Sequence, residues 1–368
     1  MVKTQAIVAN DAAEDWRIED IELAEPNDDE LLVEMVAAGV CFTDVKTAQG
    51  KFGIKPPIIL GHEGVGYIRK VGSGVKQALS EGDAVILSYA SCSACASCQS
   101  GNNPFCQNIA KRNFSGSRVD GTSVVKNASN SALKGLFFGQ SSFSRLAIVD
   151  PSCAVKVDVK GREELKKLVL GCGFQTGSGA IANVCQPKIG SSIVVWGCGT
   201  VGLSAIMTAK LTTPKYLIAV DMLDDKLELA RKYGATHTIN GSKEDVGKRL
   251  QEITEGLGVQ YALDAVGSPA ILKLAQQSLA PKGMMVTIGG TPADVVLSTA
   301  LHIQRGITYR GCHMGDSIPG LYIPQLLDWW RKGVYPFDEL LTFYKFEDFA
   351  QALQDLKDGK IVKPVLVM

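Results

Sequence analysis

The fold of this chain is decided by the stretch Ser192-Ile193-Val194-Val195-Trp196-Gly197-Cys198-Gly199-Thr200-Val201-Gly202. Its apolar first half predicts a buried strand, and its glycines permit a tight turn and the close approach of a ligand to the backbone. The loop opens an apolar helix, whose free N–H groups and dipole favour an anion. This order of strand, glycine-rich loop and helix is typical of a dinucleotide pyrophosphate site. We therefore expect a cofactor at Gly197, Gly199, Thr200, Val201 and Gly202.

Strands and helices alternate along the chain beyond this loop. A helix is expected from Thr200 to about Leu211, followed by strand Tyr216–Val220, helix Asp225–Tyr233 and strands Val259–Ala265 and Met284–Ile288. Such alternation predicts an α/β domain with a parallel, doubly wound sheet.

An acidic residue ends the second predicted strand of this sheet. Asp221 lies 19 residues past Gly202, where a carboxylate can accept hydrogen bonds from both ribose hydroxyls and repel a 2′-phosphate. The sequence therefore favours NAD over NADP. Lys226, in the next helix, either adds a contact to the adenosine ribose or is an ordinary solvated lysine.

The first 90 residues have a different texture, in which short β-type runs alternate with Gly, Pro and Asp turns. The clearest runs are Gln5–Val8, Glu30–Ala37, Gly64–Val71 and Asp83–Leu87. They predict a strand-rich, barrel-like unit. Residues 111–136 are rich in Gly, Ser and Asn and predict a long surface loop. The chain is less regular after Gly311 and ends in Ile361–Met368, a strand that is expected to return to the first domain.

Bulk composition limits the function. The 368 residues predict two domains, and Lys+Arg balances Asp+Glu at 38 each, which argues against nucleic acid or an anionic membrane surface as a partner. No apolar run approaches the length of a membrane span, and residues 1–11 lack a basic-then-apolar leader. A cytoplasmic location is expected, so the ten cysteines are interpreted as thiols and metal ligands rather than disulfides.

Metal-ligand residues surround an apolar run in the first domain. Gly39-Val40-Cys41-Phe42-Thr43-Asp44 precedes the run and Gly61-His62-Glu63-Gly64 follows it. Cys41 and His62 suit zinc, and the Thr43 hydroxyl suits a substrate that must lose a proton. Cys172, between two glycines, is the candidate third ligand. Three protein ligands with one open position are typical of a catalytic zinc, although each residue alone also fits an ordinary buried thiol or histidine.

A second group of thiols lies in residues 91–106. Cys92, Cys95, Cys98 and Cys106 have two, two and seven residues between them, a spacing that closes short loops around one tetrahedral ion. Four thiolates leave no open position for chemistry, which predicts a structural zinc. An iron–sulfur cluster is the alternative.

With these motifs located, the chain resembles the zinc-dependent medium-chain alcohol dehydrogenases over essentially its whole length, most closely the aryl-alcohol (benzyl alcohol) branch. The resemblance is carried by the three metal motifs above, the nucleotide loop, and the segments 113–121, 137–143, 171–177 and 311–319. It implies a GroES-like β-rich catalytic domain at residues 1–172 and 311–368, with a zinc lobe at 91–106. A Rossmann domain is implied at residues 173–310.

The resemblance also implies roles around the catalytic zinc held by Cys41, His62 and Cys172. Thr43 is expected to pass the alcohol proton to the cofactor ribose, Asp44 to orient His62, and Glu63 to lie behind the metal and bind it transiently. Thr176 and Val201 would support the nicotinamide ring, and Lys363 would lie near the pyrophosphate. The expected substrate pocket comprises Phe52, Tyr89, Phe137, Phe138 and His313.

Two residues depart from the family pattern. Phe42 replaces a residue that is often basic or polar near the cofactor phosphate, and Lys46 occupies the site where many members carry the histidine that ends a proton relay. The proton route through ribose, Lys46 or water is therefore open.

The resulting expectation is an NAD-dependent enzyme with two Zn²⁺ per chain. It would oxidise a primary, aromatic or bulky apolar alcohol to the aldehyde, and reduce the aldehyde, as a homodimer or homotetramer. The alternatives are a glutathione-dependent formaldehyde dehydrogenase-type activity and a non-enzymatic nucleotide-binding protein of the same fold.

Overall fold

The computed structural model describes residues 2–11, 15–290 and 294–368, which form two compact units. The first unit comprises Met1–Cys172, Ile318–Gln325 and Asp338–Met368, and the second comprises Gly173–Ser317 and Leu326–Phe337. No helix in the described ranges is long and apolar enough to cross a membrane.

The predicted boundary at residue 311 differs from this division, because residues 311–317 and 326–337 belong to the second unit. Two contacts explain the difference. The Tyr335 hydroxyl lies 2.7 Å from Ser204 Oγ, and the Phe337 ring stacks on Phe174 at 5.2 Å between ring centroids. A Cβ on Gly179 would lie 2.3 Å from the Gly315 oxygen, so these two segments are in direct backbone contact.

The first unit contains two sheets. The five-stranded sheet is antiparallel, with the strand order Ile58–Ile59, Val2–Ala9, Trp16–Leu23, Val125–Asn127, Ala132–Leu133. The seven-stranded sheet has the order Ala154–Lys156, Ala84–Leu87, Gly64–Val71, Leu31–Gly39, Lys363–Val367, Leu341–Lys345, and Leu146–Val149 also pairs with Leu31–Gly39.

Strand Leu31–Gly39 is the centre of the first unit. Eight of its nine residues are buried, and Leu31, Val33 and Met35 belong to the core of the sheet. The last strand of the chain, Lys363–Val367, pairs antiparallel with its end, so that Val365 lies opposite Gly39. The last strand of the chain thus lies beside the strand that leads into Cys41.

Short helices connect the strands of the first unit. Its helices and 3₁₀ turns are Phe42–Ala48, Ala96–Gln99, Asn103–Phe105, Ile109–Asn113, Phe137–Gly139, Pro151–Cys153, Arg162–Leu165, Phe346–Asp348 and Phe349–Lys357. The loop predicted at residues 111–136 contains the end of one helix and two short strands instead.

The expectation of irregular structure after Gly311 is also wrong, because the chain forms helices Pro319–Arg331 and Phe349–Lys357 there, together with 3₁₀ turns Met314–Asp316 and Phe337–Leu340. Pro324 lies inside the first of these helices. Proline normally argues against a helix interior, which hid this helix from the sequence pattern.

The second unit is a doubly wound parallel sheet with the strand order His237–Asn240, Tyr216–Asp221, Ser192–Trp196, Val259–Asp264, Leu279–Thr287, Thr308–Gly311. Its helices are Gly173–Gly179, the π-helical turn Ala180–Cys185, Thr200–Lys210, Asp224–Tyr233, Val246–Ile253, Pro269–Ser278 and Thr299–Arg305. When the strands are numbered by their order along the chain, their order across the sheet is 3-2-1-4-5-6, which is the Rossmann order. The predicted α/β class is therefore confirmed.

Candidate metal centre and nucleotide-binding loop

Four side chains from three distant segments converge in the first unit. Cys41, His62, Glu63 and Cys172 each offer one potential ligand atom, and these atoms all lie within 4.8 Å of one another. Cys41 begins helix Phe42–Ala48, while His62 and Glu63 immediately precede strand Gly64–Val71. The structure therefore brings together the three residues that the sequence predicted as catalytic zinc ligands.

Asp44 holds the two N-terminal segments of this cluster together. Its carboxylate is buried and accepts hydrogen bonds from the Cys41 N–H at 3.1 Å and the Gly61 N–H at 3.0 Å. The same group lies 2.9 Å from His62 Nδ1. A carboxylate at Nδ1 orients the imidazole so that Nε2 is available to a metal.

The donor atoms fit a zinc ion. His62 is fully buried, and its Nε2 atom has no hydrogen-bond partner among the residues that the structure describes. A buried ring nitrogen without a partner is costly unless it binds something. Two cysteine sulfurs and one imidazole are a ligand set that zinc prefers.

Protonation of the cluster is consistent with a cation site. A hydrogen bond from Cys172 holds the pKa of the Cys41 thiol well below its ordinary value, although burial opposes this. Burial lowers the pKa of His62, but Asp44 and Cys41 together outweigh it and the pKa is raised well above its usual value. A thiol whose pKa is lowered is suited to binding a divalent ion as the thiolate.

Lys363 is buried in the first unit and paired with Glu63. Its ammonium donates to both Glu63 oxygens, at 2.7 and 2.9 Å, and lies 3.3 Å from the Val40 oxygen, while its expected position near the cofactor pyrophosphate stays a prediction. A buried ammonium is stable only when it is paired, so strand Lys363–Val367 positions it for Glu63. Burial raises the pKa of Glu63 even though Lys363 opposes the shift.

The ion pair leaves no space for a side chain at residue 39. A Cβ on Gly39 would lie 2.2 Å from Glu63 Oε2, which explains the glycine before Val40 and Cys41. Glu63 thus lies within the cluster but is bound to an ammonium in this structure. Its predicted transient contact with the metal stays a prediction.

Aromatic rings cover one side of His62. Its ring centroid lies 4.7 Å from that of Phe138 and 5.5 Å from that of Phe137. The Phe114 ring centroid lies 6.0 Å from that of Phe137 and 5.2 Å from that of Phe138. The Phe52 ring centroid lies 6.0 Å from that of Phe114. These four phenylalanines form the aromatic row, which runs from a half-exposed ring to the buried histidine.

A strained coil makes this arrangement possible. Leu136, Phe138 and Ser141 have φ values of 55°, 53° and 50°, in the left-handed region that side chains rarely adopt. Because of this coil, two consecutive phenylalanines both face His62. Of the other predicted pocket residues, Tyr89 is buried in the first unit and His313 lies in the second unit.

Sequence reasoning assigned no role to two residues of this region. Phe114 lies in the segment 113–121 that carries the family resemblance, and its ring links Phe52 to Phe137 and Phe138. Gln140 lies in the same coil as Phe138 and hydrogen-bonds the His62 backbone. No local pattern signals either contact, because both depend on segments that meet only in the folded chain.

The second cysteine group forms a compact set of sulfurs. The Sγ–Sγ distances are 3.4 Å for Cys92–Cys106, 3.6 Å for Cys95–Cys98, 4.0 Å for Cys92–Cys98 and 4.0 Å for Cys95–Cys106. A tetrahedral ion with zinc–sulfur bonds of about 2.3 Å requires sulfurs about 3.8 Å apart. Backbone N–H groups point at two of the sulfurs, and hydrogen bonds from Ala94 and Cys95 help to lower the pKa of Cys92 to about 5. All four residues therefore fit a closed metal site.

The glycine-rich loop of the second unit has the geometry that an anion site needs. Gly197 has φ +88°, and a Cβ on Gly202 would lie 1.7 Å from the Gly197 oxygen. A Cβ on Gly199 would meet nothing within 4 Å, so the backbone is open at that point. Helix Thr200–Lys210 begins directly after Gly199, so the loop lies at a helix N-terminus, whose dipole favours an anion.

Asp221 fastens this loop to the neighbouring strand. Its carboxylate accepts hydrogen bonds from the N–H groups of Cys198, Met222 and Leu223, at 2.6, 2.7 and 3.0 Å. Lys226 is mostly buried close to Asp221, and burial lowers its pKa. The predicted ribose contacts of Asp221 and Lys226 stay predictions.

The other predicted cofactor residues also lie in the second unit. Thr176 is in helix Gly173–Gly179, which approaches Val201 so closely that a Cβ on Gly177 would lie 1.9 Å from the Val201 oxygen. The Thr176 hydroxyl lies 3.9 Å from the sulfur of Met314. Thr176 and Val201 are therefore neighbours at the start of helix Thr200–Lys210.

Comparison with known proteins agrees with this geometry. Residues 27–159 match the family profile described as alcohol dehydrogenase GroES-like domain, and residues 200–331 match that described as zinc-binding dehydrogenase. The chain is 34% identical over 372 residues to geraniol dehydrogenase of Castellaniella defragrans, a match that covers all of this chain and 98% of the relative. It is 32% identical to S-(hydroxymethyl)glutathione dehydrogenase of Komagataella pastoris, with the same coverage.

A solved structure is also similar throughout. The crystal structure of benzyl alcohol dehydrogenase from Acinetobacter calcoaceticus matches with a TM-score of 0.95 at 36% identity, and the match covers all of both chains. A GroES-like part with a thiolate–imidazole cluster, joined to a Rossmann sheet, defines a class of metal-dependent oxidoreductases. The chain belongs to the zinc-dependent medium-chain alcohol dehydrogenase family. Membership implies zinc, a nicotinamide cofactor and the oxidation of an alcohol.

The first prediction concerns Asp44. Asp44→Asn leaves one oxygen acceptor where the native carboxylate accepts on two, and its amide N–H groups would oppose the donors of Cys41 or Gly61. We expect zinc affinity at this cluster to fall by about 10–100-fold, the usual cost of losing a partner behind a ligand histidine. Competition with a chromogenic chelator measures the affinity. Thr47→Ala, in the same helix but bonded only to the Thr43 oxygen, is the control and should bind zinc normally. Equal affinity in Asp44→Asn and Thr47→Ala would contradict the orienting role.

The second prediction compares two glycines of the nucleotide loop. Gly199→Ala should fold normally, because its Cβ meets nothing within 4 Å, yet it should weaken NADH binding by on the order of tenfold through contact with the pyrophosphate. Gly202→Ala should weaken binding and also lower the melting temperature, because its Cβ would clash with Gly197. NADH fluorescence titration and thermal unfolding give the two readouts. Normal NADH affinity in Gly199→Ala would show that the pyrophosphate does not bind there.

Proposed function

We propose that this enzyme oxidises a primary alcohol with an aromatic or bulky apolar substituent, using NAD, and reduces the corresponding aldehyde. The observation that carries the proposal is the aromatic row beside His62. The relatives named for geraniol and benzyl alcohol add support, because both of those substrates are bulky, apolar primary alcohols.

Cys41, His62 and Cys172 are proposed to hold the catalytic zinc. The assignment is supported by the convergence of both thiols and by His62 Nε2, which has no hydrogen-bond partner within the described part of the chain. When bound, zinc supplies the Lewis acidity that lowers the pKa of an alcohol, and NAD supplies the hydride acceptor. Glu63 lies in the same cluster and is paired with Lys363, and its transient contact with the ion is part of the proposal.

Thr43 is proposed to take the proton of the alcohol. It lies two residues after Cys41 in the first turn of helix Phe42–Ala48 and is partly exposed. Lys46 lies one turn further on the same helix and is also partly exposed, so the cofactor ribose, Lys46 and water are the three routes proposed for the next step of the proton. Thr47 hydrogen-bonds the Thr43 oxygen at 2.7 Å and stabilises this turn.

The aromatic row is proposed to bind the substituent of the alcohol. Phe114 is partly exposed and packs on the buried rings of Phe137 and Phe138 beside His62, and an apolar wall next to a polar reacting centre favours substrates that have one apolar end and one hydroxyl. Phe52, partly exposed, would lie at the outer end of the row. The pocket roles expected for Tyr89 and His313 stay predictions.

Two zinc ions per chain and NAD rather than NADP are the finer cofactor proposals. The sulfur distances among Cys92, Cys95, Cys98 and Cys106 support a closed, structural zinc. The carboxylate of Asp221, at the end of the second strand, supports NAD because it would repel a 2′-phosphate.

The enzyme is proposed to act as a homodimer or homotetramer. Strand Thr308–Gly311 is an edge of the parallel sheet and is exposed along its length. Val296 and Ile303, at 89% and 83% exposure, lie in the segments just before it. Exposed apolar side chains near a free sheet edge are typical of surfaces that associate.

The activity test is an alcohol panel with both cofactors. We expect benzyl alcohol, cinnamyl alcohol and geraniol to give kcat/KM values at least about tenfold above that of ethanol, since burying one ring is worth well over 1.4 kcal/mol. S-(hydroxymethyl)glutathione is included because of the relative from Komagataella pastoris. Preference for ethanol or for the glutathione adduct would overturn the proposed substrate class, and no turnover of any alcohol would overturn the activity.

Cys172→Ala should retain NADH binding but lose turnover.

The cofactor preference rests on Asp221. Two like charges about 4 Å apart repel by about 4 kcal/mol at an effective dielectric constant of about 20. Asp221→Gly should therefore raise the kcat/KM ratio of NADP to NAD by at least about tenfold. Thermal unfolding of the variant controls for the loss of its bonds to the loop. An unchanged cofactor ratio in a folded variant would refute the ribose role.

A further inference from the structure

The side chain of Gln140 joins its own coil to two other segments, one at residues 62–64 and one at Ser88. It is completely buried, and its Nε2 atom donates to the His62 oxygen at 3.0 Å and to the Ser88 oxygen at 2.6 Å. Its Oε1 atom accepts from the Gly64 N–H at 3.0 Å. Both N–H groups and the oxygen of the amide are therefore used, and all three partners are backbone groups.

The two donor contacts lead to two different metal ligands. His62 itself provides one candidate ligand atom. Ser88 is connected to the other candidate, Cys172, because its hydroxyl donates at 2.7 Å to the oxygen of the preceding residue, Gly171. A Cβ on Gly171 would lie 1.9 Å from the Leu87 oxygen, so the Cys172 segment lies directly against the backbone at Leu87 and Ser88.

The side chain of Gln140 is closely packed by its neighbours. A Cβ on Gly64 would lie 3.1 Å from Gln140 Oε1 and 2.6 Å from Ser142 Cβ, so only glycine fits there. Gln140 directly follows the strained turn that contains Phe138, and its neighbour Ser141 has φ 50°. The coil therefore aims this side chain inward, toward the carriers of the ligands, while its phenylalanines face the His62 ring.

We propose that Gln140 is a positioning residue for the catalytic metal: its amide sets the separation between the segment that carries His62 and the segment that carries Cys172. The inference rests on the proposed function, in that Cys41, His62 and Cys172 bind zinc. It does not depend on which alcohol is the substrate. Gln140 touches no ligand atom, so its effect is on how well the three donors match one ion.

The test measures the rate of zinc release to a chromogenic chelator from the fully loaded, intact enzyme. Two phases are expected in the wild-type protein, one from each thiol-containing site, and Cys172→Ser identifies the phase of the catalytic site by removing it. Gln140→Glu keeps an acceptor for the Gly64 N–H but loses donors to the two carbonyl oxygens. We expect it to accelerate the catalytic-site phase by about 10–100-fold and to leave the four-cysteine phase unchanged.

Ser141→Ala is the matched control. Ser141 is buried in the same coil, and its side chain bonds to the Ile59 oxygen at 2.7 Å and from the Phe137 N–H at 2.9 Å, so it contacts the chain three residues before His62 and not at His62 or Ser88. Comparable melting temperatures of Ser141→Ala and Gln140→Glu would show that the coil is equally weakened. Only Gln140→Glu should then release zinc faster, which a merely structural role would not produce.

Ser88→Ala keeps the inference testable if Gln140→Glu does not fold. It preserves the Gln140 contact to the Ser88 backbone and removes only the hydroxyl that holds Gly171, so it should accelerate the same phase. The positioning role is overturned if the wild type shows two phases and neither Gln140→Glu nor Ser88→Ala changes the catalytic-site phase relative to Ser141→Ala. A wild-type enzyme that lacks the catalytic-site phase would overturn the zinc assignment itself, and the inference with it.

Discussion

The candidate metal centre of the first unit depends on one buried carboxylate. Asp44 accepts hydrogen bonds from the N–H groups of Cys41 and Gly61 and contacts His62 Nδ1, so two candidate ligands that are 21 positions apart share one support. Because the carboxylate is buried, each contact is stronger than it would be in water, and each would be costly to leave unmade. The orientation of the imidazole, the start of helix Phe42–Ala48 and the turn at Gly61 all follow from it.

Close backbone packing gives this support its rigidity. Gly39 and Gly171 both lie where a Cβ would overlap a neighbouring atom, an oxygen of Glu63 in one case and of Leu87 in the other. The buried Glu63–Lys363 pair fills the remaining space behind the cluster. A buried ion pair of this kind is rarely a source of net stability, but removing either partner would leave an unpaired charge in the core. Its consequence is a fixed position for the Glu63 carboxylate, which Lys363 binds through both oxygens.

The Rossmann unit uses the same kind of support for a different purpose. Asp221 accepts three backbone N–H groups around the glycine-rich loop, so a carboxylate again orders a turn that must present other groups to a ligand. In this case the turn exposes the N-terminus of a helix, which is where a pyrophosphate binds. The strand order 3-2-1-4-5-6 puts this loop at the switch point of the sheet, where such ligands are bound in doubly wound folds.

The sequence by itself determined the features whose residues are close along the chain. The strand, loop and helix from Ser192 onward, and the four cysteines of residues 91–106, form by local hydrogen bonds and short loop closures, so their spacing carries the information. Only the tertiary structure decided that Lys363 binds Glu63, 300 positions away, and that Gln140 reaches His62 and Ser88. Contacts of this kind depend on which strands pair and on their register, and no local pattern of residue types encodes that choice.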